Sequence, residues 1–536
     1  MPATKNSKTS RRSAKSKDAG HYRPAFLPFT ILIALGAAFA FFVYSQGWTV
    51  YWGDAEAHLN IARRVVDSRT PGYEQIGTVW LPVPHALMLP FVGVDSLWKT
   101  GLAAAIPGVL CFALAGTALF ATSRRLFDSS AAAWCAALLL ALNPNFLYLQ
   151  SIPMGEAAFL ASVSGLLYFT VVFAQTGSLL AVAAAGVCSA AASLTRYEGW
   201  FLIPFVGLFF LITAGPGRWT AAAIFAAIAG AAPLYWLAHN YYFHSNALVF
   251  YNGPWSAQAI YQRGHPPGSQ PFPTHENWGK ALQYYRTTVQ WCSGTVLLWL
   301  AAAGIPFALW KRAIWPLSFL ALIPAFYILS LHNAGSSGTE IFLPNLWPNN
   351  YYNTRYGIGT LPLLALAASA LVAVLPHRVQ GFAAAAIVMA VSLPWLVYPR
   401  PDNWITWKES KVNSDARRAY TAEAVSFFRE HYRKGDGIFT SFSDLTGILR
   451  QSGIPLRASL HEGNGPEYLA TLMRPDLFLN EEWALAIAAD PVASAMMKVN
   501  TSYRVVRTIY AKGGPVVEIY RRIHDNPIPQ GARRAQ

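Results

Sequence analysis

Apolar residues in this chain come in runs, and the runs have the length of a bilayer. From Ala25 to Tyr44, and again at about 100–122, 131–150, 156–174, 178–195, 199–213, 219–241, 293–310, 314–331, 356–375 and 381–398, the stretches approach the ~20 residues of a spanning helix. Of these, 199–213 is the shortest. Only 12% of the 536 residues are charged and 54% are hydrophobic, whereas a soluble domain carries roughly 25% charged residues. The predicted fold class is therefore an all-α polytopic membrane domain of about eleven transmembrane helices over 25–398. A small α/β soluble domain is predicted over 399–536, where the composition turns ordinary.

Charge sets the expected topology. The net charge of +15 does not indicate nucleic acid, because Lys5, Lys8, Arg11, Arg12, Lys15, Lys17 and Arg23 crowd into the tail 1–24 and others into short loops. Arg124-Arg125, Arg218, Lys311-Arg312 and His377-Arg378 fall on the side of that basic tail, and the uncharged Gln175-Thr176-Gly177 loop is silent. Basic short loops face the cytoplasm. The tail is then cytoplasmic, the first helix a retained anchor, and the long segments 47–99, 242–292 and 332–355 are external together with 399–536. The expected location is the cell (plasma or inner) membrane, with many passes. This count requires the stretch Trp80 to Val92, with Pro82, Pro84 and Pro90, to be interfacial or re-entrant; ten to thirteen residues do not cross.

In the C-terminal part, 414–433 reads as an amphipathic helix started by Ser414 or Asp415. Strands are expected near 437–440, 483–488, 503–510 and 515–521, the last two joined through Lys512-Gly513-Gly514. No nucleotide-binding glycine motif stands there. Cys111, Cys135, Cys188 and Cys292 make no CxxC or Cys/His grouping, so neither a disulfide framework nor a zinc site is expected.

Ionisable residues gather at the outer ends of the predicted helices. The first helix runs into Trp52-Gly53-Asp54-Ala55-Glu56-Ala57-His58, and a surface helix is expected over about Ala55 to Ser68. Glu156 opens one span, Arg196-Tyr197-Glu198 joins two, and Arg355-Tyr356 follows the Tyr/Asn-rich segment from Asn349. Charges at membrane depth are costly and face a cavity or one another. Two readings stand for several of them. Asp54 is a catalytic carboxylate or a solvated loop residue. Glu56 and His58 are substrate or metal ligands, or polar residues of the surface helix, where Arg63 and Arg64 contact headgroups. His85 is a phosphate contact or a satisfied interfacial histidine. Glu156, Arg196 and Glu198 touch the substrate or form a structural ion pair between helix ends. Arg355 faces an anionic headgroup, and Tyr356 with its neighbours lines the site or belongs to an aromatic belt.

The pattern resembles the GT-C superfamily of membrane glycosyltransferases, which use polyprenyl-phosphate-linked sugars, and is most similar to the protein O-mannosyltransferase and lipid A aminoarabinose transferase branches. The likeness rests on Gly53-Asp54-Ala55-Glu56 after the first helix, Ile61-Ala62-Arg63-Arg64, Pro82-Val83-Pro84-His85, and Thr122-Ser123-Arg124-Arg125-Leu126-Phe127. Ser193-Leu194-Thr195-Arg196-Tyr197-Glu198-Gly199-Trp200 and Arg355-Tyr356 with Pro362 complete it. There are departures. Ala55 separates the two acids, and Val79-Trp80-Leu81 stands where the family commonly has a lysine, leaving His85 or Arg355 to meet the phosphate. The Trp-Trp-Asp signature of the oligosaccharyltransferase branch is absent after 399, which counts against transfer of a preassembled glycan and against that branch's metal requirement.

The resemblance implies transfer of one sugar from a polyprenyl-phosphate donor to an external acceptor, a protein, lipid or glycan. Asp54 would be the general base, and Arg355 or His85 would stabilise the departing phosphate. Glu56, His58, Glu156, Arg196, Glu198 and Tyr356 would be binding residues. No cofactor is implied, and a divalent metal stays open. The rival reading is a transporter or flippase of a lipid-linked or anionic substrate, which places its ionisable groups near the bilayer midplane. A non-catalytic scaffold displaying the C-terminal domain is the third reading, and it predicts no coherent outer cavity.

Overall fold

The computed structural model describes residues 26–397, 403–442, 444–488 and 490–524. The basic tail 1–24 and the expected domain boundary at 398/399 lie outside the described residues. Each of the eleven apolar runs is helical. Among the described residues, seven helices are long and apolar enough to cross a membrane: Phe26–Ser45, Leu102–Phe127, Glu156–Thr176, Gly215–His244, Ile314–His332, Thr354–Ala373 and His377–Val397. Leu179–Ser193 and Glu198–Thr213 are shorter apolar helices.

The remaining two runs are bent pairs. Ser130–Ala141 meets Pro144–Gln150 at 65°, and Trp278–Ser293 meets Thr295–Trp310 at 107°. The first break is written locally: Asn143 caps the second helix by accepting the Phe146 N–H at 3.1 Å, with Pro144 behind it in the first turn. The second falls at Gly294, whose φ of +82° suits glycine. The long loop expected over 242–292 therefore ends in a helix of its own. Val83–Val92 has ten residues, about 15 Å at 1.5 Å per residue, half of a bilayer core.

After the last membrane helix comes Ile405–His431. It begins nine residues before Ser414, contrary to the start expected there. The reason is packing: Trp404, Ile405 and Trp407 are buried in the same apolar cluster as the membrane helices. Ser414 sits mid-helix and turns its hydroxyl onto the Lys411 carbonyl. Tyr420, Val425 and Phe428, farther along, pack into a second cluster under the sheet.

The sheet contains β1 (Ile438–Thr440), β2 (Ser459–Leu460), β3 (Trp483–Ile487), β4 (Tyr503–Tyr510) and β5 (Val516–Arg522) in the order β2-β1-β3-β5-β4. β2, β1 and β3 are parallel, and β3-β5-β4 antiparallel, with Trp483 opposite Arg521. Four of the five strands coincide with the expected ones. The two-residue β2 carries no alternation to read. The core beneath the sheet is shared: Leu59, Ala62, Met88, Val92 and Trp98 of the segment 47–99 join Tyr420, Ile438, Leu445, Ile448 and Leu449. The C-terminal domain thus rests directly on the helices that follow the first membrane span.

Candidate active site

Asp54 is the second residue of the helix Gly53–Arg64, where exposed backbone N–H groups favour a negative side chain. Opposite it, the chain pairs Phe342 with Tyr352 and turns at Asn353 (φ +55°) into the 3-10 helix Thr354–Thr360, which carries Arg355. Gly357 lets this tight helix lie against the backbone of Thr288; a Cβ there would come within 2.6 Å of the Thr288 carbonyl oxygen.

Arg355 Nη2 donates to Asp54 Oδ2 at 2.6 Å and Nε to Glu156 Oε1 at 3.1 Å. Glu156 opens its helix after Gly155 and accepts Arg196 Nη1 at 2.9 Å on the same oxygen. Arg196 Nε reaches Glu198 Oε1 at 2.7 Å, and Nη2 reaches the Tyr327 hydroxyl at 2.9 Å. The Tyr327 O–H in turn donates to Glu198. Tyr356 lies beneath both guanidiniums, at 5.2 and 5.3 Å from its ring centre, and stacks on Tyr327 at 4.8 Å. Trp52 covers Arg355 from the other side at 5.0 Å.

Five charged side chains from four separate stretches therefore meet in one network, and Asp54 is its most exposed member at 35% against 4% for Glu156. Arg355 Nη1 has no partner among the described residues, so one edge of the guanidinium remains for a ligand oxygen. A small cleft is lined by Glu156, Arg196, Arg355, Tyr356, Tyr327 and Phe159. A second small cleft is lined by Pro84, Leu87, Cys111, Met154 and Ala157. Glu156 lines the first and the next residue of its helix, Ala157, the second.

Asp54, Glu156, Arg196, Glu198, Arg355 and Tyr356 come together as the sequence suggested. Three others do not. Glu56 faces away from the cluster, 4% exposed, and takes both Nε and Nη2 of Arg450 at 2.7 Å. Burial works to raise its pKa, but the Arg450 guanidinium prevails and holds it below the usual carboxylate value. His85 is fully buried, its Nε2 2.7 Å from His58 Nδ1, and His58 stacks on Trp80 at 4.6 Å. Burial pushes His58 down to about 4 despite Asp54 and Glu156, and holds His85 well below its normal value, with His58 adding to the effect. Burial thus disfavours on both rings the positive charge that a phosphate contact would use. His58 and His85 form a buried wall behind Asp54. Arg63 is likewise no headgroup contact: it is buried against Asp67, Asp95 and the Val92 carbonyl.

Tyr327 and Trp52 were not singled out from sequence, although Trp52 immediately precedes the acidic motif and Tyr327 is a polar ring inside an apolar run. Among the described residues no group of three or more His, Cys, Asp or Glu side chains is placed to hold a metal. The four cysteines are free.

Residues 95–242 match the family described as dolichyl-phosphate-mannose-protein mannosyltransferase. No curated protein matches the sequence significantly. Among solved structures, ArnT from Cupriavidus metallidurans bound to undecaprenyl phosphate is similar at a TM-score of 0.55, with 14% identity over 91% of this chain and 98% of that one. Its apo form gives 0.53 with 16% identity over the same shares. The archaeal oligosaccharyltransferase AglB from Archaeoglobus fulgidus, in complex with an inhibitory peptide and a dolichol-phosphate, gives 0.50 with 12% identity over 86% of this chain and 69% of that one. Identities this low speak for the fold. The chain is thus a multi-pass membrane protein with the GT-C fold, carrying a dolichyl-phosphate-mannose-protein mannosyltransferase match over residues 95–242, as its resemblance to polyprenyl-phosphate-dependent membrane glycosyltransferases implied.

Proposed function

We propose that this protein moves a single sugar from a polyprenyl-phosphate donor to an acceptor on the extracytoplasmic side of the membrane, with Asp54 as general base. The observation that carries the reading is the meeting of Asp54 and Arg355 with Glu156 and Arg196, beside a small cleft lined by Arg355, Arg196 and Glu156. In this reading the donor's phosphate binds the free edge of Arg355 and weakens the Arg355–Asp54 pair. The carboxylate so released takes the proton of the acceptor hydroxyl as its oxygen attacks the anomeric carbon. The bond from that carbon to the phosphate oxygen breaks, and the charge gathering on the polyprenyl phosphate is met by Arg355 with Arg196 behind it.

The orientation belongs to the same proposal. The basic loops and tail face the cytoplasm, and the cluster and the C-terminal domain over 399–536 face out, as the distribution of short-loop charge favours. A nucleotide-sugar donor, which is cytoplasmic, does not suit such a site. The transporter reading is disfavoured because the charges stand at helix ends and not midway along them. The test is turnover by the purified full-length protein on a panel of undecaprenyl- and dolichyl-phosphate sugars, with Asp54→Asn as comparison. Wild-type transfer lost in the variant supports the reading. Equal turnover by both removes Asp54 from the chemistry.

A further inference from the structure

Two buried charges outside the cluster hold the elements on either side of the Asp54–Arg355 pair, Arg450 through the Glu56 carboxylate and Glu409 through backbone N–H groups, and both come from the chain after the last membrane helix. On the Asp54 side, Arg450 is 1% exposed and donates twice to Glu56, two residues along the same helix turn, while its Nη1 reaches the Lys99 carbonyl. Arg417 adds a second hold. It donates to the Tyr51 carbonyl and lies so close over the helix start that a Cβ at Gly53 would come within 2.7 Å of its Nη1. On the Arg355 side, Glu409 is 1% exposed and accepts three hydrogen bonds: from Asn353 N–H at 2.9 Å, Thr354 N–H at 2.8 Å and the Thr354 hydroxyl at 2.6 Å. It caps the 3-10 helix one residue before Arg355.

Asp54 and Arg355 both stand in the first turn of a short element, where backbone N–H groups lack intrahelical partners and ends fray. Each of these first turns is tied down by a buried charge of the Ile405–His431 helix or the segment after it. We propose that Glu409 and Arg450 are positioning residues through which the C-terminal domain fixes the reach between Asp54 and Arg355. The kinetic consequence rests on the glycosyl-transfer reading, and the geometric consequence does not. A displacement of 1 Å at a reacting group costs on the order of 10²-fold in rate, so slackening either hold lowers turnover without touching the donor.

The experiment uses the full-length protein in nanodiscs with spin labels at Val66→Cys and Asn350→Cys, exposed positions near the two elements. Arg450→Gln and Glu409→Gln each broaden the label-to-label distance distribution, and Arg450→Lys restores it in part, since an ammonium keeps the charge but not the two-point grip. With undecaprenyl- and dolichyl-phosphate sugars, Arg450→Gln lowers kcat by about tenfold or more at a donor KM within about twofold, and Glu409→Gln, which slackens the Arg355 that meets the phosphate, lowers kcat and raises the donor KM together. Added to Asp54→Asn, Arg450→Gln costs nothing further, because it acts through that residue. Arg474→Ala, in an exposed pair with Asp476, changes neither readout. Unaltered distance distributions in both Gln variants overturn the proposal, as does full additivity of Arg450→Gln with Asp54→Asn. Should Arg450→Gln fail to insert, Arg450→Lys carries the same comparison. A wild type without turnover whose distribution still broadens on mutation removes the transferase reading and leaves the positioning role standing.

Discussion

Arg355 and Asp54 are 301 residues apart in the chain and 2.6 Å apart in the fold. Neither would hold this pairing alone. Arg355 is buried with a second carboxylate at its Nε, while Asp54 keeps a third of its side chain open. The pair is a partly open ion pair at the rim of a buried network, which suits a group that must change partners.

Asp54→Asn should leave expression and membrane insertion intact and lower sugar transfer by about 10²–10⁴-fold. The change preserves size and deletes the basic oxygen. Radiolabelled transfer from the donor panel reads the outcome, and near-normal turnover would transfer the base role elsewhere.

Arg355→Ala should raise the donor KM and lower kcat together, because the phosphate carries more charge in the transition state than in the ground state. Arg355→Lys should recover only part, since a point charge cannot replace a fork. Steady-state kinetics against donor concentration distinguish this from a loss confined to either parameter.

Glu156 presents one oxygen to both Arg196 and Arg355. Glu156→Gln leaves two guanidiniums facing each other across a buried amide, and breaking a buried pair costs about 3–5 kcal/mol. A lower thermal midpoint in detergent is expected, with Glu156→Asp intermediate. An unchanged midpoint would mean that the two arginines find other anions.

Acid should weaken the protein through His58 and His85. Burial lowers His58 from 6.5 to about 4 and His85 in the same direction. Between those values the unfolded chain binds protons that the native rings refuse. Stability is therefore fully present above about pH 6.5 and falls as pH drops towards 4. Thermal melts across that window should slope, and His58→Phe should flatten the slope.

Topology is open to reporter fusions. One placed near Arg312 should report the cytoplasm and one at the C-terminal end the opposite side. Both on the same side would contradict the external placement of Asp54.

Much of this was written in local patterns. Apolar runs gave away the helices, alternation and a Gly-Gly turn gave away β4 and β5, and polar residues at apolar-run ends pointed to Asp54, Glu156, Arg196 and Arg355. What remained hidden depended on distant partners. Glu56 looked like a site carboxylate because its neighbour is one, and only Arg450, 394 residues on, turns it away. His85 looked like a phosphate contact until its own ring nitrogen was found against His58. Glu409 lies ahead of the helix expected over 414–433 and in none of the elements expected from the sequence. Its burial comes from the 3-10 helix it caps, so no window along the chain would have revealed it.

The Ile405–His431 helix has 27 residues, a rod of about 40 Å. One end is rooted among membrane helices and the other beneath the sheet. A rod fixed at both ends transmits torque. The soluble domain is therefore not a pendant that can be cut off or exchanged as a cassette. Severing the chain ahead of Trp404 would tear three large side chains from an oily core and leave them on a water-soluble fragment, so each half should aggregate when made alone.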